Sequence, residues 1–479
     1  MLLKHFYDIK LAQASYLIGC AQTGDAIVID ANRDIAQYLR AAEAEGLRVT
    51  HVTETHIHAD FVSGSRELAQ VAGAQLHLSK EGGPDWQYAF AQTDGARLIG
   101  EGDTLMVGNI RLDVLHTPGH TPEHLSFLVT DTPAAAGPMG LLTGDFVFVG
   151  DVGRPDLLEK AAGLAGTMED SARALFRSLQ RVRALPDHLQ IWPGHGADSA
   201  CGKALGAVPS STLGYERLAN WGLAATDEAA FAREVLDGQP EPPAYFAEMK
   251  RVNRGGPPPL GGFARPPKVE GAAAEELLRG RTLVVDIRPA AHFAAGHIPR
   301  TINIPLNKSF PTWAGSLVPY TREFVLLTGD SSGGAVDDAA RDLAMIGHKA
   351  RGYLGPDVLE GWTAAGRTLD TLLQISVGEL AARIAAGTVT VVDVRKRSEW
   401  EAGHLPGVPN IPLSELVARA AELPDDAELV VHCQSGGRSA IAASVLRAKG
   451  RRNVSNLTGG FSAWRAAGNP VDRPAGSPR

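Results

Sequence analysis

A tandem repeat constrains this 479-residue chain more than any other feature. Residues 284–306, VVDIRPAAHFAAGHIPRTINIPL, match residues 391–413, VVDVRKRSEWEAGHLPGVPNIPL, at a constant offset of 107 with no gap. Asp286/Asp393, Arg288/Arg395, Gly296/Gly403, His297/His404, Pro299/Pro406 and Asn303/Asn410 coincide, and GWTAAG (361–366) echoes SAWRAAG (462–468). Self-similarity at a fixed spacing means one structural unit used twice. The rear of the chain is therefore predicted to be two α/β domains, at 268–370 and 371–470, followed by a loose tail at 471–479. Before them, NRGGPPPLGGFARPP (253–267) cannot continue a helix or a central strand. It reads as a linker that closes a front domain of residues 1–252.

The front domain carries the densest chemistry. Ala26-Ile27-Val28-Ile29-Asp30 and Val49-Thr50-His51-Val52-Thr53 read as buried strands flanking a helix from Asp34 to Ala44, the alternation of a layered α/β domain. Just past such runs stand four His/Asp clusters: Thr55-His56-Ile57-His58-Ala59-Asp60-Phe61, His116-Thr117-Pro118-Gly119-His120-Thr121, Gly144-Asp145, and Trp192-Pro193-Gly194-His195-Gly196. A lone loop histidine more often caps a turn than binds a metal. Four ordered clusters, each at a strand end where a rigid sheet presents loop side chains, point to one metal site.

The bulk properties narrow the function classes. A net charge of −8 argues against a nucleic-acid binder, which needs a basic patch. No apolar run reaches the ~18 residues of a membrane span, and the start lacks the marks of a secretory signal. Three cysteines at 20, 201 and 433 are too few for a disulfide framework. A cytoplasmic location is expected, and each thiol is judged on its own surroundings: Cys20, in the strand-like YLIGCA, reads as core.

The front motifs resemble the metallo-β-lactamase fold family, whose signature is HxHxDH, a GHT histidine, a bridging aspartate and a late histidine. Phe61 stands where the two-metal hydrolases of that fold place the last histidine, and it offers no lone pair. The resemblance is therefore to the persulfide dioxygenase branch, which implies one non-haem Fe(II) per chain held by His56, His120 and Asp145. Two imidazoles and a carboxylate on one face leave open positions for O2 and a sulfur ligand. His58, Asp60 and His195 would then orient ligands and waters. Gly150-Asp151-Val152-Gly153-Arg154-Pro155-Asp156-Leu157 also looks like that branch. Arg154 would bind a substrate carboxylate or form a structural ion pair with a nearby aspartate. Cys201, six residues past His195, would face the metal pocket, with Lys203 favouring its thiolate, or would be a buried small hydrophobe.

In the last repeat, the apolar run ending at His432 leads to Cys433, then Gln434-Ser435-Gly436-Gly437-Arg438-Ser439 and a helix. A cysteine between a strand end and a helix N-terminus, wrapped by a Gly-rich loop, is an anion cradle whose N–H groups favour the thiolate. The block resembles the rhodanese family. Its Cx4R loop is one residue shorter than the phosphatase cradle and suits a persulfide sulfur. Cys433 would carry that sulfur; Gln434, Ser435, Gly436, Gly437 and Ser439 would cradle it, and Arg438 would hold the loop or an oxyanion. In the middle copy Thr328 or Gly329 stands at the nucleophile position and no cysteine is present, so that copy is read as an inactive rhodanese used for packing, spacing or oligomer contacts.

The whole order resembles the persulfide dioxygenase/rhodanese fusions of the CstB type. The fold class implied is α/β, a metallo-β-lactamase αββα sandwich followed by two rhodanese-like α/β domains. The activity implied is oxidation of a small thiol persulfide (glutathione, coenzyme A or similar) by O2 to sulfite and thiol, with Cys433 passing a second sulfur to sulfite to give thiosulfate. A homo-oligomer and no nucleic-acid or membrane partner are expected. The alternatives are a glyoxalase-II-like dizinc thioesterase and a non-catalytic persulfide sensor or carrier.

Overall fold

A computed structural model describes residues 1–157, 159, 166–197, 199–203, 205–424 and 427–473. The chain divides into two compact units: Met1–Gly262 with the short segment Ala344–Gly347, and Phe263–Leu343 with His348–Arg479.

The first unit holds two six-stranded sheets. Strands β1 (Leu2–Asp8), β2 (Gln13–Gly19), β3 (Asp25–Ile29), β4 (Arg48–Thr53), β5 (Gln75–Ser79) and β6 (Arg97–Ile99) lie side by side in chain order. The second sheet runs from β7 (Thr104–Val107) through β8 (Ile110–His116), β9 (Leu125–Asp131), β10 (Gly140–Gly144) and β11 (Gln190–Pro193) to β12 (Ser211–Thr212). Side chains alternate across a strand, and that period assembles the layers. Ile27 and Ile29 of β3 face Leu112, Phe127 and Leu142 between the sheets. Ala26 and Val28 turn outward to Tyr38 and Leu68 of the helices Ile35–Ala44 and Ser65–Ala72. On the other side Leu141 and Ile191 pack under the helices Met168–Arg183 and Glu228–Leu236. The result is an αββα sandwich. β3 is parallel to β4, and β10 to β11, so the loops after β3, β4, β10 and β11 leave their sheets at matching strand ends.

The second unit realises the repeat. Its sheets read β14-β13-β15-β16 and β17-β20-β19-β18, all parallel, with β13 (Leu283–Asp286), β14 (Ile302–Asn303), β15 (Phe324–Leu327), β16 (Gly352–Leu354), β17 (Leu373–Ile375), β18 (Thr390–Asp393), β19 (Leu429–His432) and β20 (Val454–Leu457). Two isolated parallel bridges, Lys268–Tyr353 and Asp393–Asn410, supply the position each sheet lacks in the other. The repeated D-x-R is a buried ion pair in both copies: Arg288 Nη2 lies 2.6 Å from Asp286 and Arg395 Nη2 2.7 Å from Asp393.

Two expected boundaries shift. The helix Phe246–Gly255 runs into the expected linker, and Glu67 then accepts the Leu260 and Gly261 N–H groups, so the segment through 262 belongs to the first unit. At the other end Asp472 exchanges two backbone hydrogen bonds with His404, as Asp370 does with His297. Residues 471–473 therefore close their copy and are not tail; residues 474–479 of the expected tail lie outside the described residues. Among the described residues no helix is long and apolar enough to cross a membrane.

Candidate metal centre and cysteine cradle

The loops after β4, β8, β10 and β11 bring the four clusters together. Ligand atoms of His56, His120 and Asp145 all lie within 4.8 Å of one another, and all three side chains are buried. Each is held by its far side. His56 Nδ1 meets Thr55 Oγ1 at 3.0 Å, and His120 Nδ1 donates to the Arg154 carbonyl at 3.0 Å. These contacts leave the two Nε2 atoms for the centre, the arrangement that orients metal-binding imidazoles.

The protonation states suit a cation. Burial, then the neighbouring His58, push the His56 imidazole well below its ordinary value, and burial lowers His120. Burial alone would raise the Asp145 carboxyl, but the charge and hydrogen bond of His195 outweigh it and hold it well below the usual range. The site thus offers two neutral imidazoles and one carboxylate, the forms a metal requires. Asp145 Oδ2 is buried without a hydrogen-bond partner. An orphaned acceptor of that kind is costly unless a cation sits against it, so the residues fit a metal ion.

His195 lies between two carboxylates, Nδ1 2.8 Å from Asp145 Oδ1 and Nε2 2.8 Å from Asp60 Oδ2. Burial opposes its charge, yet Asp145 and Asp60 prevail and lift it well above the usual histidine value. His58 Nε2 meets Asp30 Oδ1 at 3.0 Å; against burial, Asp30 lifts that imidazole to about 9. Phe61 is fully buried, its ring 4.5 Å from that of His58. Asp60, His195 and Cys201 form a second group of three potential ligands within 4.8 Å, but both His195 nitrogens are already engaged.

Arg154 takes the second of the two roles left open by the sequence, the ion pair with a nearby aspartate. It is wholly buried, with Nε and Nη2 2.8 and 2.7 Å from the Asp156 carboxylate and Nη1 2.8 Å from the Ala200 carbonyl, a structural ion pair that ties down the loop leading to Cys201. Cys201 does face the pocket, but Lys203 does not activate it. The Lys203 ammonium turns to the Glu234 carbonyl and the Trp221 ring, while burial and then Asp145 and Asp60 push the thiol well above its ordinary value.

Sequence reasoning missed Asp30, His124 and Glu123. Asp30 has the left-handed φ of +56°, a strained choice for a side-chain-bearing residue, and its carboxylate accepts the Thr55 N–H at 2.7 Å and hydroxyl at 2.9 Å. His124 stacks on His56 at 5.2 Å and its Nε2 accepts the Asp145 N–H at 3.2 Å. Glu123 accepts the Ile57 N–H at 2.8 Å. The available signals were an aspartate ending an otherwise apolar strand and a third histidine in HTPGHTPEH.

In the last copy Cys433 follows β19 and is buried at the N-terminus of the helix Gly437–Ala448. Its Sγ accepts the Gly436 N–H at 3.2 Å and the Ser439 hydroxyl at 3.4 Å. Gly436 has φ +102°, which side chains rarely adopt, and a Cβ on Gly460 would strike the Cys433 carbonyl. Gln434 braces the loop by donating to Ser462 Oγ at 2.8 Å and accepting from Arg395 at 3.3 Å, while Ser435 and Gly437 are exposed at its rim. Arg438 ties the loop to the helix Arg397–Ala402, its guanidinium pairing with both Glu399 oxygens at 2.6 and 2.7 Å. In the middle copy Leu327 pairs with Asp286 as His432 pairs with Asp393, so Thr328 occupies the nucleophile position. Its loop is filled from within, as Asp330 accepts the Ser332 and Ala335 N–H groups at 2.8 and 3.0 Å. Cys20 is buried in the core between the sheets.

Fold and sites together define an αββα domain with a candidate metal site, followed by two repeated α/β domains of which the last carries a cysteine cradle. A metallo-beta-lactamase superfamily profile matches residues 9–195, and a rhodanese-like domain profile matches 271–362 and 376–467. The crystal structure of a metallo-beta-lactamase from Staphylococcus aureus is 43% identical, covering 74% of this chain and 99% of its own, with a TM-score of 0.67. The mouse mitochondrial persulfide dioxygenase ETHE1 is 29% identical over 41% of this chain and 68% of its own. A hydroxyacylglutathione hydrolase of Rhodopseudomonas palustris is 29% identical over 50% of this chain and 94% of its own. The chain belongs to the metallo-beta-lactamase superfamily, with two rhodanese-like domains following that domain.

Proposed function

We propose that the protein is a mononuclear Fe(II) persulfide dioxygenase coupled to a sulfurtransferase, acting on small thiol persulfides such as those of glutathione or coenzyme A. The observation that carries this reading is the cluster of His56, His120 and Asp145 with its unpartnered Asp145 Oδ2, and Phe61 standing where a further ligand would be needed for a second ion. Likeness to a persulfide dioxygenase supports it. Fe(II) bound by these residues, one per chain, supplies O2 activation and a binding position for sulfur. The protein's part is to hold both imidazoles neutral, keep Asp145 ionised through His195, and shield all three side chains from solvent.

At the rear, the Cys433 thiolate takes a sulfane sulfur, and sulfite attacks that outer sulfur. The S–S bond breaks, thiosulfate leaves, and the electron pair returns to Cys433, stabilised by the Gly436 and Ser439 donors. Fusion keeps sulfite near the acceptor site at high effective concentration.

A two-metal thioesterase reading draws on the Asp60, His195 and Cys201 group and on likeness to a hydroxyacylglutathione hydrolase. It would have to break a His195 hydrogen bond. Anaerobically iron-loaded protein given glutathione persulfide is expected to consume O2 and release sulfite and thiosulfate. Cys433→Ser is expected to abolish thiosulfate formation and spare O2 uptake. No O2 uptake, or two metal ions per chain with thioester hydrolysis, would overturn the proposal.

A further inference from the structure

Residues 54–62, which carry His56, His58 and Asp60, form neither strand nor helix. The buried backbone groups of such a loop need partners from elsewhere in the fold. Its first half is held by two acidic side chains, Asp30 on the Thr55 N–H and Glu123 on the Ile57 N–H. Its second half is held by one residue 190 positions beyond Ser63, Asn253, near the end of the helix Phe246–Gly255.

Asn253 is 1% exposed. Its Oδ1 accepts the Ser63 N–H at 2.9 Å, and its Nδ2 donates to the His58 and Phe61 carbonyls at 2.8 and 2.7 Å. These partners fix the orientation of the carboxamide, because an N–H only donates and a carbonyl only accepts. The three bonds fall on both sides of Asp60. An aspartate at 253 would set a carboxylate against two carbonyls, and a leucine of similar size would leave all three backbone groups without this partner.

Asp60 carries the effect onward. Its Oδ2 lies 2.8 Å from His195 Nε2, and His195 Nδ1 lies 2.8 Å from Asp145 Oδ1. With Oδ1 so engaged, the Asp145 carboxylate keeps its unpartnered Oδ2 beside His120 Nε2, 3.6 Å away. A line of short contacts therefore runs from Asn253 through the loop backbone, Asp60 and His195 to Asp145.

Resting on the reading of His56, His120 and Asp145 as metal ligands, we propose that Asn253 is a positioning residue of the metal centre. By fixing the backbone on both sides of Asp60 it aims that carboxylate at His195. Through His195 it sets how Asp145 presents Oδ2 to the ion, the role of groups that orient metal ligands from behind. The helix that runs into the expected linker thus carries part of the support of the metal site.

The test uses the full chain and the metals alone. Fe(II) affinity is read anaerobically by competition with a chromogenic chelator, and Co(II) serves as a stand-in whose visible bands report ligand geometry. Asn253→Leu is expected to weaken Fe(II) binding roughly tenfold, the lower end for groups that orient ligands, and to shift the Co(II) bands. Asn253→Ser keeps a hydroxyl for one of the three bonds and is expected to fall between; it decides the matter if the leucine variant does not fold. Asp60→Ala removes the carboxylate from His195. Combined with Asn253→Leu, it is expected to cost well short of the product of the two single losses in affinity, because both act along one path. Wild-type affinity with unshifted Co(II) bands in a folded Asn253 variant would overturn the assignment, since a merely structural residue lowers the unfolding midpoint and leaves both metal readouts in place. Single losses that multiply in the double variant would equally overturn it. A wild-type chain that binds neither ion refutes the ligand set and this inference with it. A wild-type chain that binds Fe(II) yet takes up no O2 with glutathione persulfide refutes the dioxygenase reading alone, and the affinities still decide the role of Asn253.

Discussion

Replacing Arg154 with Met tests whether this buried cation is structural. Its guanidinium makes two hydrogen bonds to Asp156 and one to the Ala200 carbonyl, with no exposure. Methionine matches much of the length without the charge, so Asp156 loses both hydrogen bonds and the charge of Arg154. Removing one partner of a buried pair costs about 3–5 kcal/mol, and the lost bond to Ala200 adds about 1 kcal/mol. The damage should spread, because the Arg154 carbonyl anchors His120 and Ala200 precedes Cys201. Equilibrium urea unfolding of the full chain, fitted to the transition that the substitution moves, reads the loss. Asp156→Leu and the double variant complete a cycle. The double variant should be less destabilised than the sum of the singles by about 2–3 kcal/mol, since it buries no lone charge. A wild-type unfolding midpoint for Arg154→Met, together with a raised KM for persulfide, would refute the reasoning and return Arg154 to the substrate.

His120→Ala should strip iron from purified protein by elemental analysis, because one of three ligands is lost; full iron content would remove His120 from the ligand set. Thr328→Cys in a Cys433→Ser background should show no thiosulfate:cyanide transfer, since Asp330 already takes the loop's N–H groups; measurable turnover would contradict this. His77 has no hydrogen-bond partner for either ring nitrogen, and burial, then His51 and Arg97, lower it to about 4. A base depressed from 6.5 contributes stability above pH 6.5 that is lost as pH falls toward 4, because the unfolded chain binds the proton first. Stability measured from pH 8 to 4.5 should therefore decline less in His77→Phe than in the wild type, and superimposable pH profiles would exclude His77 as the cause.

The grouping of His56, His120 and Asp145 was legible because each sits in a short motif just beyond an apolar strand, so local sequence places it at the sheet edge. The repeat likewise told its own topology, as the matching parallel sheets show. What escaped depends on distance along the chain or on side-chain direction. Asp30 reaches Thr55 and His58 from a different strand, and Arg438 finds Glu399, 39 residues earlier. Lys203 is two residues from Cys201, yet its ammonium points to Glu234 and Trp221. Adjacency in sequence does not fix which way a long side chain turns. The linker began late for a similar reason: MKRVNRG continues a helix whose inward face, Phe246, Met249 and Asn253, is set by burial.

The two rhodanese-like loops differ in what completes them. In the middle copy the N–H groups close on the Asp330 carboxylate. In the last copy the Gly436 and Ser439 donors close on Cys433 Sγ, whose charge would change with each turnover under the proposed sulfur transfer. One loop carries its own counter-ion, while the other closes on the atom that the proposed reaction would modify. Amide exchange at 434–439 should therefore report the loading state of Cys433, whereas exchange at 330–335 should be indifferent to it.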